Sequence, residues 1–259
     1  MKKKIFKIIN PFCTLFNIKN HNKSIETECI FGEEFLLSEI VNGYGKGTLL
    51  RDNYTGWIKL NNLGFLKTHT HKVIIPNAPI YLNANAKSGI LYNLPMGSLI
   101  RVLKTKNGWS EIYLPVFNNI KFGFVPNNFI DFFENINLDW VLFSNLFLNA
   151  PYKWGGKSFC GIDCSGLVQV ALQTAKNINI PRNSNQQILY AKQVGETINQ
   201  NERGALIFWK DHVAIGLDEE HIIHSNAHHM RTEIETFSNA KQRILKQYGE
   251  VVSIIRLNF

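Results

Sequence analysis

Cysteine is scarce in this chain: four residues in 259, Cys13, Cys29, Cys160 and Cys164, at irregular spacing. So few cysteines in so long a chain do not make a disulfide framework, and they fit a reducing compartment. Long apolar runs are missing as well, which excludes a membrane-spanning helix. The N-terminal stretch MKKKIFKIINPFCTLF opens like a secretory leader. However, Lys7 and Asn10-Pro11 interrupt its apolar run, and no small-residue cleavage site follows. The expectation is a cytoplasmic protein with a mobile tail over residues 1–24, export being the alternative. A phosphate-binding loop is also lacking. VNGYGKGT has glycines and Lys46 without the required spacing and reads as a turn, so no cofactor is expected. Acidic side chains are outnumbered 20 to 28, giving a net charge of +8. Past the MKKK start the basic residues are scattered, so the charge reads as solubility and no nucleic-acid partner is expected.

What is present is enough for a core, with 45% hydrophobic residues. Residues 25–67 and 68–133 consist of short apolar runs separated by Gly, Asn and Pro, the pattern of small β-barrels. They also echo each other. Tyr54-Thr55-Gly56-Trp57-Ile58 answers Lys121-Phe122-Gly123-Phe124-Val125, and FGEEFLLSEI answers LPMGSLIRVL. Residues 134–259 change style. NLDWVLFSNLFLNA carries Leu138, Val141, Leu142 and Leu146 at helical spacing, widened by Trp140 and Phe147, with Asn137 as its cap. A second helix carries Leu167, Val168, Ala171, Leu172 and Ala175, and PRNSNQQILYAKQV a third. GALIFW, HVAIGL, HIIHSNA and VVSIIRL then read as strands. Helices followed by an antiparallel sheet describe an α+β domain.

Cys164 stands at the mouth of the second helix, behind Asp163 as cap. Unpaired amides and the positive helix end face its sulfur there, which favours thiolate, the nucleophilic form. His212 opens HVAIGL and His224 closes HIIH, so in a hairpin of matching parity both face one side of the sheet. One imidazole takes the thiol proton and the other orients it. A zinc site of Cys160, Cys164, His212 and His224 is the competing reading. A cysteine leading a long helix argues against it, so no metal is expected. Cys160 reads as incidental, and His221, His228 and His229 as turn or surface residues.

YKWGGKSFCGIDCSGLVQ, followed by PRNSNQQ, GALIFW, HVAIGL and HIIHSNA, resembles the NlpC/P60 cysteine peptidases, a papain-like group that cuts bacterial cell-wall peptides. The resemblance covers about Tyr152 to Arg256. It implies Cys164 as nucleophile, His212 as general base, His224 as the orienting third residue, and Arg182-Asn183-Ser184 lining the groove. It also implies an oxyanion donor in the Cys164 amide, helped by Tyr152. The β-rich half resembles paired bacterial SH3 (SH3b) domains, an arrangement similar to that of γ-D-glutamyl-L-diamino acid endopeptidases of muropeptide recycling. That subgroup implies peptidoglycan-derived peptides as partners. It implies Asp163 as receptor of a free L-Ala amine, assisted by Tyr54 and by Glu28 or Glu26, with Trp154 and Ser165 lining the pocket. An exported hydrolase or amidase acting on intact wall, and a non-catalytic wall-binding protein, are the alternatives. Oligomeric state and the diamino acid accepted stay open.

Overall fold

Two Asn-Gly pairs shape the first half of the chain. Asn42-Gly43 and Asn107-Gly108 all have positive φ, between 47° and 79°. Each pair is the two-residue turn of a tight hairpin whose twist matches that of its strands. The computed structural model describes residues 4–19, 22–117, 120–134 and 136–259, and the chain divides into two units, Met1–Asn137 and Leu138–Phe259.

In the first unit one sheet is built from β1 (Lys4–Ile8), β2 (Phe12–Lys19), β3 (Asn22–Ile30), β4 (Glu34–Val41), β5 (Tyr44–Leu49), β6 (Thr55–Lys59) and β7 (Leu63–Gly64). Its order is β3-β2-β6-β5-β4-β1-β7. A further sheet contains β8 (His71–Val73), β9 (Asn77–Tyr81), β10 (Ile90–Pro95), β11 (Leu99–Lys106), β12 (Trp109–Phe117), β13 (Ile120–Pro126) and β14 (Ile130–Phe132). Its order is β10-β9-β13-β12-β11-β8-β14, the first order with each strand advanced by seven. The two sheets pack on separate cores, around Leu15, Phe35 and Ile58 in one and Ile80, Ile100 and Val125 in the other.

The expected tail at residues 1–24 is corrected. Residues 1–3, 20 and 21 lie outside the described residues, but β1 pairs with β4 and β7, and Ile8 and Leu15 are fully buried. Lys4 and Lys7 belong to this strand. Lys7 reaches Glu34 at 3.6 Å while its neighbour Ile8 fills the core.

The second unit contains α1 (Trp140–Asn145), the short strands β15 (Lys157–Ser158) and β16 (Gly161–Ile162), α2 (Cys164–Lys176) and α3 (Ser184–Val194). There follow β17 (Gly195–Ile198), β18 (Ala205–Trp209), β19 (His212–Gly216), β20 (His221–Asn226), β21 (Arg231–Thr236), α4 (Phe237–Tyr248) and β22 (Ser253–Leu257). The sheet is antiparallel, in the order β17-β22-β18-β19-β20-β21. The architecture is α+β, a β-rich unit followed by a mixed α/β unit. Every residue of α2 from Cys164 to Ala175 is buried. Among the described residues no helix is long and apolar enough to cross a membrane.

Two local expectations are corrected. α1 is capped by Asp139, which accepts from the amides of Val141 and Leu142, and not by Asn137. The helix ends after two turns, so Leu142 and Leu146 stay exposed while Trp140, Val141 and Ser144 are buried. α4 arises in a stretch to which no helix was assigned. Ala240 and Ile244 recur at the interval of one helical face and join Ile207, Ala214 and Ile222 of the sheet.

Candidate active site

Asp163 starts α2. Its backbone is extended, and Oδ1 accepts from the Gly166 amide at 2.7 Å. Cys164 is therefore the first helical residue. It is 8% exposed and lines a cavity of ≈ 460 Å³ together with Tyr152, Trp154, Asp211, His212, Arg243 and Tyr248.

The two histidines meet through strand register. Ile215 pairs with Ile223 and Gly216 with Ile222, so Ala214 stands opposite His224 and His212 is diagonal to it on the same face. His212 Nε2 lies 2.8 Å from His224 Nδ1. His224 Nε2 in turn lies 2.7 Å from Glu235 Oε1 on β21, and Arg243 of α4 donates to the same oxygen. Glu235 and Arg243 were not legible beforehand. A glutamate on a polar strand and an arginine on an unassigned helix carry no local signal, and only the β20–β21 register aims the carboxylate.

The electrostatics correct the expected anionic sulfur. Burial pushes the Cys164 thiol up to about 12 and the charge of Asp163 adds to the rise; the amides of Val213 and Ser165, and Arg182, pull it only partly back. Desolvation outweighs the helix end. Burial, helped by His224 and Arg243, holds His212 well below the usual histidine value. Burial thus favours the neutral form of each group. Burial also lowers His224, against the pull of Glu235. At Glu235 burial acts upward, but the bonds to His224 and Arg243 outweigh it and leave the carboxyl below its usual value.

Asp163 is corrected too. It is 5% exposed, and Arg182 grips both oxygens, Nη1 to Oδ1 at 2.9 Å and Nη2 to Oδ2 at 2.7 Å. The Gly155 and Gly166 amides and the Ser165 hydroxyl also donate to this carboxylate. With its charge balanced and its lone pairs taken, it holds the helix start and has no place for a substrate ammonium. Ser165 is drawn into the same cluster by a 2.9 Å bond from Arg182. Arg182 is buried, so it braces the wall from behind rather than lining a groove. Ser184 opens α3 behind Asn183 and is not among the residues lining the cavity. Tyr152 and Trp154 do line it, and Trp154 is largely exposed. In the first unit the Tyr54 hydroxyl donates to Glu26 at 2.6 Å, whereas Glu28 is buried.

His224, His229 and Glu235 come close enough for a metal ion. Their donors are otherwise engaged: both His224 nitrogens are hydrogen-bonded and Glu235 is paired with Arg243. Cys160 is exposed while Cys164 is buried.

Residues 149–249 match the NlpC/P60 family, and residues 15–63 match the bacterial dipeptidyl-peptidase Sh3 domain. The second unit carries an NlpC/P60 cysteine-peptidase domain. The chain is 36% identical over 81 residues to dipeptidyl-peptidase 6 of Lysinibacillus sphaericus, spanning 31% of this chain and 29% of that relative. It is 24% identical over 239 residues to gamma-D-glutamyl-L-lysine dipeptidyl-peptidase of Bacillus cereus, spanning 80% of this chain and 69% of that protein. The crystal structure of an NlpC/P60 family protein from Bacillus cereus superposes with a TM-score of 0.81 at 20% identity, covering 98% of this chain and 99% of that one. That likeness establishes the fold. In the NlpC/P60 domain here, the cysteine and first histidine share one cavity.

Proposed function

We propose that the protein is a cysteine endopeptidase that hydrolyses the γ-D-glutamyl-L-diamino acid bond of short muropeptides with a free N-terminal L-Ala. The observation that carries it is Cys164, first residue of a buried helix, sharing a cavity with a His212 that is bonded to His224. The match of residues 15–63 to a dipeptidyl-peptidase Sh3 domain and the extended likeness to a gamma-D-glutamyl-L-lysine dipeptidyl-peptidase support the substrate class. The second β-sheet, with the same strand order, is proposed as a second SH3-like barrel. The scarcity of cysteine, all thiols in this structure, supports action in the cytoplasm.

In the proposed reaction the Cys164 sulfur attacks the γ-glutamyl carbonyl as its proton passes to His212. Transfer coupled to attack suits a resting neutral pair, since a pre-formed ion pair is disfavoured by burial. The oxyanion takes hydrogen bonds from the Cys164 amide and from Tyr152. Burial, Cys164 and Asp163 push that phenol up to about 12, so it stays a donor at neutral pH. His212 gives its proton to the departing amine, and the carbon–nitrogen bond breaks to leave a thioester. Water, deprotonated by His212, then cleaves the carbon–sulfur bond and regenerates the thiol.

Since Asp163 is committed to Arg182, recognition of the amine is assigned to another carboxylate. Glu26, held by Tyr54, is the candidate of the β-rich unit, and Asp211, which lines the cavity, that of the peptidase unit. The test is mass spectrometry of a free-amine L-Ala-γ-D-Glu-diamino acid tripeptide and its N-acetylated twin, with wild type, Cys164→Ala, Glu26→Gln and Asp211→Asn. Cleavage confined to the free-amine peptide and lost in Cys164→Ala is expected. The carboxylate variant that raises KM identifies the amine receptor. Equal cleavage of both peptides favours a hydrolase of intact wall, and cleavage by Cys164→Ala discards the mechanism.

A further inference from the structure

The hydrogen-bond chain behind His212 runs past His224 to a carboxylate that the reaction above does not use. We propose that Glu235 is a positioning residue that fixes the tautomers of both imidazoles, leaving the lone pair of His212 on Nδ1, the nitrogen not engaged by His224. Its catalytic consequence rests on the peptidase reading; the tautomers follow from geometry alone.

The argument runs inward from the charged end. Glu235 Oε1 receives a hydrogen bond from Arg243 and stands 2.7 Å from His224 Nε2. A carboxylate beside a guanidinium is ionised and offers acceptors only, so His224 Nε2 carries a proton. His224 is wholly buried, which disfavours a second proton, so its Nδ1 is a lone pair. That lone pair meets His212 Nε2 at 2.8 Å, and Nε2 must therefore be the donor. A neutral imidazole has one such proton, so His212 Nδ1 is bare. Reversing the tautomer of one ring alone would set two protons or two lone pairs against each other.

His229 comes within 4.8 Å of the donor atoms of His224 and Glu235. His229 Nδ1 is 3.1 Å from Asn226 Oδ1 and so is turned to a different partner. Arg243 balances the charge of Glu235, so the carboxylate acts by orienting protons more than by attracting the imidazolium formed during attack. A neutral acceptor of the same shape should then serve nearly as well. Glu235→Gln can still accept from His224 through its amide oxygen, whereas Glu235→Leu cannot.

The test uses the full chain with ¹⁵N-labelled histidine. Ring-nitrogen NMR spectra of the wild type at neutral pH are expected to show His212 and His224 both protonated at Nε2 and bare at Nδ1. A proton on His212 Nδ1 overturns the proposal. In Glu235→Leu the tautomers are expected to mix, with kcat falling about 10²-fold and KM holding within about 2-fold. Glu235→Gln is expected to keep the tautomers and to stay within about 10-fold of wild-type kcat. A Glu235→Leu protein with unchanged spectra or unchanged kcat contradicts the assignment. Should that variant fail to fold, the wild-type spectrum still decides. Expected tautomers in a wild type that cleaves no muropeptide would sink the substrate reading and leave the positioning role standing.

Discussion

Arg182 has one of the largest fully buried side chains in the protein, and its partner Asp163 caps the helix that presents the sulfur. Removing one member of a buried ion pair leaves the other charge uncompensated. Arg182→Met should therefore cost about 3–5 kcal/mol, read as a lower urea midpoint. A loss within about 0.5 kcal/mol would show that Asp163 is solvated after all. The two buried histidines set a pH dependence. Both are held below their usual value in the folded chain, so the unfolded chain binds more protons in acid. Their contribution is complete above about pH 6.5 and declines as pH falls from there. Glu235, also lowered, acts in the same direction at more acid pH. Urea midpoints should drop between about pH 8 and about pH 5.5, and a rise over that range would contradict the neutral pair. At this scale much was legible: Cys164, His212 and His224 stand out because a thiol at a helix mouth and two same-parity histidines are unusual on a sequence. The protonation of that sulfur was not, because burial depends on what covers it.

Elements place these side chains. The β19–β20 register puts His212 diagonal to His224, and a slip by one residue would turn one ring to the opposite face. α4 brings Arg243 and Ile244 to the cavity, and its start depends on Thr236, whose hydroxyl accepts from the Asn239 amide at 3.3 Å. Thr236→Ala should cost about 1 kcal/mol by urea unfolding. It should also loosen Arg243, visible as faster exchange of its guanidinium protons. An unchanged midpoint would mean that packing of Ala240 and Ile244 alone sets the helix. The continuous apolar runs that announce buried strands were readable along β18 and β19, whereas α4 was masked by its polar composition. Its apolar face has few members, and it becomes a helix because the sheet offers Ala214 and Ile222 to cover.

In the whole molecule, the two sheets of the first unit share a packing constraint as well as a strand order. A Cβ on Gly56 would come within 2.7 Å of Leu15 on β2, and one on Gly123 within 2.5 Å of Ile80 on β9. Strands β6 and β13 occupy equivalent places, as do β2 and β9. Gly56→Ala and Gly123→Ala should therefore each destabilise the unit by about 1–3 kcal/mol in calorimetry or urea unfolding. If only one of them does so, the equivalence is topological and does not extend to packing. The echo between TGWIK and FGFVP was visible because a close approach tolerates only glycine, and such a demand survives in the residue type itself. By itself the sequence determined the apolar strands such as β18, β19, β20 and β22, the helix that begins at Cys164 and the pairing of histidines by parity, all of which arise from neighbours along the chain. Tertiary structure alone decided that Lys4–Ile8 is a core strand, that Asp163 belongs to Arg182, that Glu235 stands behind His224 and that burial pushes the thiol up. Those outcomes depend on desolvation and on partners distant in sequence, which local residue patterns do not encode.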